Sequence, residues 1–401
     1  MSLRHRLVKA LKPPHQVWSG NQITLLCNGA EYFRALITAL NESTQSIRLE
    51  TYLYADDAIG KAVTSALCDA AQRGVDVRLV VDGFGARNIV THHLPMLHNA
   101  GVHVRIFRPE FHLWRHLLSR KRSRLRRMHR KMTLCDGHTA FVGGINIIDD
   151  ATGNASSIRP DFALQIRGPL LHAIGHAMDR QWQTLSRRPI LHRSQKSGTT
   201  KIDGSLVGNI PAALILRDNL LNRGQIESAY ISAIEQAQEE ITLAMAYFIP
   251  SHAILHALLN AAARGVNICL LLQGRIEYLL QHYASQSLYK RLLAAGIEIY
   301  EYEPGFMHAK VGMIDHQWST VGSANLDPFS LLVAREANVV IFDAEFCATL
   351  EQRVLADIKE HSHKINAAAW ARRSRWQQIL HTLSARLLFR LLSLTRYANN
   401  Y

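Results

Sequence analysis

Two histidines far apart in the chain carry the same neighbours. The first copy reads His129-Arg-Lys131, four residues, then Asp136; the second reads His308-Ala-Lys310, four residues, then Asp315. Each is followed by a small-residue turn ending in asparagine, Gly143-Gly144-Ile145-Asn146 and Gly322-Ser323-Ala324-Asn325. A phosphodiester is anionic and repels anionic nucleophiles, whereas a neutral imidazole can attack phosphorus and form a phosphohistidine. Lys131 and Lys310 offer fixed positive charge to the non-bridging oxygens, and Asn146 and Asn325 add neutral donors. A second imidazole protonates the departing alkoxide and takes the proton of the incoming alcohol in the return step. One copy cannot do both jobs, so the two must meet in one composite site.

Each imidazole also needs an acceptor at its other nitrogen to set tautomer and aim. Asp161, in Arg159-Pro-Asp-Phe162, and Glu336, in Arg335-Glu-Ala-Asn338, follow the two copies at similar distances and are the candidates. Asp136 and Asp315 fall farther along what should be a strand, where holding the strand-turn geometry is the local reading. No metal or other cofactor is expected, since the sequence lacks a clustered carboxylate or His/Cys ligand set.

The elements that must position these residues are themselves repeated. Apolar strand-like runs at Ile47–Tyr54 and Ile241–Phe248 lead into helix-patterned stretches ending in Arg73-Gly74-Val75 and Arg264-Gly265-Val266. A second strand follows, Val77–Val81 and Ile268–Leu272, then a helix closed by Ala100-Gly101-Val102 or Ala295-Gly296-Ile297. Apolar strands alternating with helices predict an α/β fold of two tandem units with pseudo-two-fold symmetry. Each should be a mostly parallel sheet flanked by helices. The expected organisation is a first unit over residues 1–190, a linker over 191–204, a second unit over 205–360 and a basic amphipathic tail over 361–401.

Composition narrows the partners. The 401-residue chain is 48% apolar and carries a formal net charge of +14, which implies an anionic partner. Its 5 cysteines show no CxxC spacing and read as buried thiols of a reducing compartment. No run reaches the ~18–20 apolar residues of a spanning helix, and the basic start of the chain has too short an apolar stretch for a signal peptide. From Gly101 to His129 is 28 residues, but from Gly296 to His308 only 12. The excess, about residues 111–127, holds Trp114 and a run of Arg and Lys without an acidic residue, and reads as a head-group-binding segment. In the tail, Trp376, Leu380, Leu383, Leu387, Leu391 and Leu394 form one helical stripe flanked by arginines, the pattern of an interfacial anchor.

The paired HxKxxxxD patterns with their G-G-x-N and G-S-x-N turns resemble the phospholipase D superfamily, over roughly Leu25 to Asp357. Within it, Tyr247-Phe248-Ile249-Pro250, Arg217-Asp218-Asn219 and Gly322-Ser-Ala-Asn-Leu-Asp-Pro328 are similar to bacterial cardiolipin synthases of the shorter, B type without N-terminal transmembrane helices. The resemblance implies phosphatidyl transfer from one phosphatidylglycerol to another with release of glycerol. Phosphatidylethanolamine is a further substrate to consider. It makes His129, Lys131, Asp136, His308, Lys310 and Asp315 the catalytic set, and mildly favours His129 as nucleophile. Relatives often carry Trp two positions before the residue matched by Asp161, where this chain has Arg159. The expected setting is peripheral, on an anionic membrane surface at the cytoplasmic side of the bacterial inner membrane, with no nucleic acid partner. A superfamily hydrolase of phospholipid or nucleic acid, and a membrane-binding scaffold without chemistry, are the alternatives. The complete second motif argues against the scaffold.

Overall fold

A computed structural model describes residues 16–109, 126–149, 159–186, 201–219, 221–373 and 375–393. Most of the basic segment expected at 111–127, and most of the expected linker, lie outside the described residues. The first half contributes strands β1 (Trp18–Cys27), β2 (Ser46–Thr51), β3 (Asp76–Asp82), β4 (His103–Phe107), β5 (Met132–Cys135), β6 (Thr139–Gly143) and β7 (Phe162–Arg167). The second contributes β8 (Ile210–Arg217), β9 (Glu240–Met245), β10 (Asn267–Gln273), β11 (Glu298–Tyr302), β12 (Lys310–Ile314), β13 (Trp318–Gly322), β14 (Glu336–Ile341) and the short β15 (Ser362–Lys364).

They form one 15-stranded sheet in the order β15-β11-β10-β9-β12-β13-β14-β8-β1-β7-β6-β5-β2-β3-β4. Apart from β15, the order is palindromic about the β8–β1 contact, so the repeat in sequence becomes a pseudo-two-fold axis. The expectation of a mostly parallel sheet needs correction. Only β2-β3-β4 and β9-β10-β11 pair in parallel; the remaining strand pairs among the described residues are antiparallel. The parallel blocks are those joined by helical crossovers, Ala58–Gln72 and His252–Ala263 among them. The motif strands are hairpins with turns too short for a crossover, and such a connection allows only antiparallel pairing.

Helix starts and stops follow local chemistry. Asp57 and Ser251 cap the two crossover helices through their side chains, accepting from Gly60 N and Ile254 N. Gly74 and Gly265 end the same helices at φ of +92° and +90°, a conformation that favours glycine. Each half buries a core between its sheet and its own helices. A further core is shared: Met132, Leu134 and Val142 of the first half cluster with Val311, Val321 and Val339 of the second. Strands β6 and β7 thereby lie against β13 and β14.

Asp136 and Asp315 sit in the hairpin turns at the far ends of β5 and β12 from the histidines, with φ of 52° and 49°. The Asp136 carboxylate accepts the backbone N–H of Thr44, Gln45 and Ser46, each at 2.8 Å. Asp315 does the same for Gln238, Glu239 and Glu240, at 2.8, 2.8 and 3.0 Å. Each ties a hairpin to the chain entering the neighbouring parallel strand. Removing either carboxylate strands several backbone donors, so Asp136→Ala or Asp315→Ala should cost about 2–4 kcal/mol of stability. Urea unfolding checks this, and an unchanged midpoint would exclude the structural role.

Candidate active site

The polypeptide just before β5 and just before β12 is held by the opposite half. The His129 N–H donates to the Arg335 carbonyl at 2.9 Å, and the His308 N–H donates to the Pro160 carbonyl, also at 2.9 Å. The side chains repeat the exchange. His308 Nδ1 donates to Asp161 Oδ2 at 2.6 Å, and His129 Nδ1 to Glu336 at 3.1 Å. With Nδ1 engaged this way, each Nε2 is the ring nitrogen left free of the carboxylate. Beneath them, Gln181 accepts from both Arg130 and Arg335, a second link between the halves.

Lys131 and Lys310 are buried at the same level, each donating to the carbonyl of its own histidine. Burial, only partly opposed by nearby carboxylates, lowers Lys131 to about 7 and Lys310 to about 8. Burial pushes Asp161 up to about 6 despite Lys310. For Glu336, burial acts upward, but the His129 charge and hydrogen bond outweigh it and hold the carboxyl below its ordinary value. Both imidazoles are lowered, first by burial. His308 is driven well below its usual range with the added effect of Lys310 and Arg159, while Glu336 pulls His129 back up.

The turns after the motifs support the carboxylates. A Cβ on Gly144 would stand 2.2 Å from Asp161 Oδ1, so the space beside Asp161 excludes any side chain there. At the matching position Ser323 uses its hydroxyl instead, donating to Glu336 at 2.5 Å. The two asparagines differ. The Asn146 amide oxygen is taken by the Leu53 N–H at 3.2 Å, whereas Asn325 lines the cleft with its oxygen buried and unpartnered.

Beside His129 lies a cleft of about 430 Å³, walled by Tyr52, His129, Tyr247, Tyr278, Phe329 and Leu388, among others. Three of its residues carried no signal in the motif. Tyr52 places its ring 4.8 Å from His129 and 5.5 Å from Lys131 Nζ. Asp327 is buried on the same wall, and burial raises it to about 6. Leu388 comes from the helix Arg375–Ser393. The extended register of β2 and β9 matches Tyr52 to Ala246, so aligning the repeats for differences would have singled out Tyr52.

Two crossed imidazole–carboxylate pairs, each beside a buried lysine, on a duplicated α/β scaffold are the arrangement of a paired-motif phosphodiester-transfer protein. The chain matches the family described as cardiolipin synthase, PLD-like domain, over residues 36–158 and 230–358. It is 33% identical to cardiolipin synthase B of Escherichia coli strain K12 and of Shigella flexneri, over 89% of this chain and 85% of each relative. It is 29% identical to a probable cardiolipin synthase, YwiE, of Bacillus subtilis strain 168, over 88% of this chain and 69% of that one. Among solved structures, the phosphatidylserine synthase of Haemophilus influenzae superposes with a TM-score of 0.72 at 13% identity, over 98% of this chain and 100% of that chain, and shares the fold. The chain belongs to the cardiolipin synthase family of PLD-like proteins.

The buried lysines predict a pH profile. A lysine is charged below its pKa and neutral above it, so phosphate-directed charge is present at acid and neutral pH and fades above about 7–8. The free-enzyme quantity kcat/KM should therefore fall across that range. A profile flat into the ordinary lysine range would contradict the geometry.

Proposed function

We propose that the chain is a cardiolipin synthase that transfers a phosphatidyl group from one phosphatidylglycerol to the terminal hydroxyl of another. One Nε2 attacks phosphorus, the phosphorus–oxygen bond to the head-group glycerol breaks, and the other imidazole protonates that glycerol as it leaves. In the return step the same imidazole takes the acceptor's hydroxyl proton. The new oxygen–phosphorus bond forms as the phosphorus–nitrogen bond breaks. Lys131 and Lys310 hold the non-bridging oxygens, Asn325 lies within the same cleft, and Asp161 and Glu336 aim the rings. Asp136 and Asp315 serve the scaffold. The crossed pairing of His129 with Glu336 and His308 with Asp161 carries this reading, because it brings two differently poised imidazoles from the two halves together.

The setting follows from the cleft wall. No helix among the described residues is long and apolar enough to cross a membrane. The helix Arg375–Ser393 instead packs His381, Ser384 and Leu388 inward and exposes Trp376 (80%), Leu380 (45%), Leu383 (54%) and Leu387 (52%). The Leu391 side chain and Leu394 lie outside the described residues. This outward stripe, with exposed Tyr278, Leu279 and Phe329 near the cleft, suits peripheral binding to an anionic bilayer, with the inner membrane's cytoplasmic face as the proposed site.

Incubation with phosphatidylglycerol vesicles should yield cardiolipin and glycerol, and His129→Ala or His308→Ala should each lower the rate at least about 10³-fold. Phosphatidic acid as the main product would replace transfer by hydrolysis. Changing Trp376, Leu380, Leu383 and Leu387 to serine should release the protein from anionic vesicles on sedimentation. Full retention would remove the helix from the docking face.

A further inference from the structure

Joining two phosphatidylglycerols brings two anionic phosphates into one cleft, separated by a single glycerol bridge. The reacting phosphate is accounted for by Lys131 and Lys310, each of which bonds the backbone carbonyl of its own histidine. The phosphate of the acceptor lipid needs a different cation. Two arginines are candidates, Arg127 on the cleft wall and Arg159 on the segment that holds His308. Arg127 already lies 3.6 Å from Asp82 and beside the Phe84 ring, so its charge is engaged.

Arg159 is placed otherwise. Its backbone neighbour Pro160 accepts the His308 N–H, and Asp161, two residues on, holds the His308 ring. Arg159 is thus tethered next to His308 by the same short segment that orients that histidine. It makes no hydrogen bond or ion pair among the described residues, and its Nε is buried without a partner. Its charge is felt at Asp161, His308 and Lys310, and also at Tyr247 and Tyr278 on the cleft wall. Those two rings lie 6.0 Å apart, and Tyr278 is 57% exposed at the rim. A half-buried cation with no hydrogen bond of its own, on the segment that holds a reactive imidazole, is out of place in a resting protein. It is well placed for an anion that arrives with a lipid.

We infer that Arg159 holds the phosphodiester of the acceptor lipid, and so determines that the phosphatidyl group passes to an anionic phospholipid in preference to a neutral alcohol. The inference rests on the proposed transfer reaction. The phosphohistidine is common to every product, and Arg159 acts on which alcohol then opens it. It is a specificity-determining residue, separate from the pair that does the chemistry.

The test is a competition in one tube. Phosphatidylglycerol vesicles are supplied with ethanol, and cardiolipin and phosphatidylethanol are quantified together. Because both products draw on one intermediate, their ratio does not depend on how much enzyme is folded. Arg159→Ala should lower the cardiolipin-to-phosphatidylethanol ratio at least about tenfold, the loss expected of one charge-assisted contact. Arg159→Lys should restore most of it. A ratio unchanged in Arg159→Ala, or a variant that makes neither product while Arg159→Lys keeps the wild-type ratio and Arg159→Gln is also inactive, would assign the arginine to the shared chemical step and overturn the inference. Wild-type enzyme giving phosphatidylethanol and phosphatidic acid without cardiolipin would instead remove the transfer reaction on which it rests.

Discussion

Each motif histidine is clasped by the half of the molecule it does not belong to. Backbone and side chain act together: the ring of His308 and its N–H both bond to the Pro160–Asp161 segment, and His129 is bonded by Arg335 and Glu336. The site therefore exists only when the halves are docked, and much of the fold serves that docking. The shared core between β6–β7 and β13–β14 supplies the apolar burial, and Gln181 adds a polar bridge underneath. Charges gathered at such a place are costly to desolvate, and the histidines and their carboxylates offset that cost by pairing across the halves. The lowered lysines and the raised Asp161 express that tension.

A perfectly two-fold site would give two equivalent imidazoles, to which the transfer reaction assigns two different roles. The symmetry is broken at several points around one axis. The shorter Asp161 sits against a glycine, and the longer Glu336 against a serine hydroxyl. An aromatic ring covers His129, while alanine occupies the matching place near His308. Asn146 is committed to the backbone, and Asn325 faces the cleft. These differences separate the two rings electrostatically. Glu336 is held ionised and partly offsets the lowering of His129, whereas His308 is driven further down beside an Asp161 that burial raises to about 6.

The repeat was legible in the sequence because both halves had kept their glycine stops and their motif spacing. The two units, their first two strands and the carboxylates available to the histidines could all be read from it. The crossing of those carboxylates could not. His129 and Glu336 are 207 residues apart, and nothing in either segment says which partner it meets. The parallel sheet was misread because a strand buried on both faces reads as an apolar run whether its neighbour is parallel or antiparallel. Asp136 and Asp315 show the opposite case. The spacing that puts them in the motif also puts them at the far turn of the strand, where a carboxylate meets a row of backbone donors.

The proposed reaction also sets a requirement that the catalytic groups cannot meet alone. A phosphohistidine facing bulk water is hydrolysed, so a lipid alcohol must reach it before water does. The second-half wall is suited to this. Phe329, Tyr278 and Leu388 bring apolar surface to the cleft, and the helix that supplies Leu388 turns its opposite face outward with Trp376 and three leucines exposed. Seated on a bilayer, that helix would continue the hydrocarbon surface down to the histidines and leave little path for water. One helix would then both dock the enzyme and decide between transfer and hydrolysis, which makes membrane contact part of the chemistry as well as of the localisation.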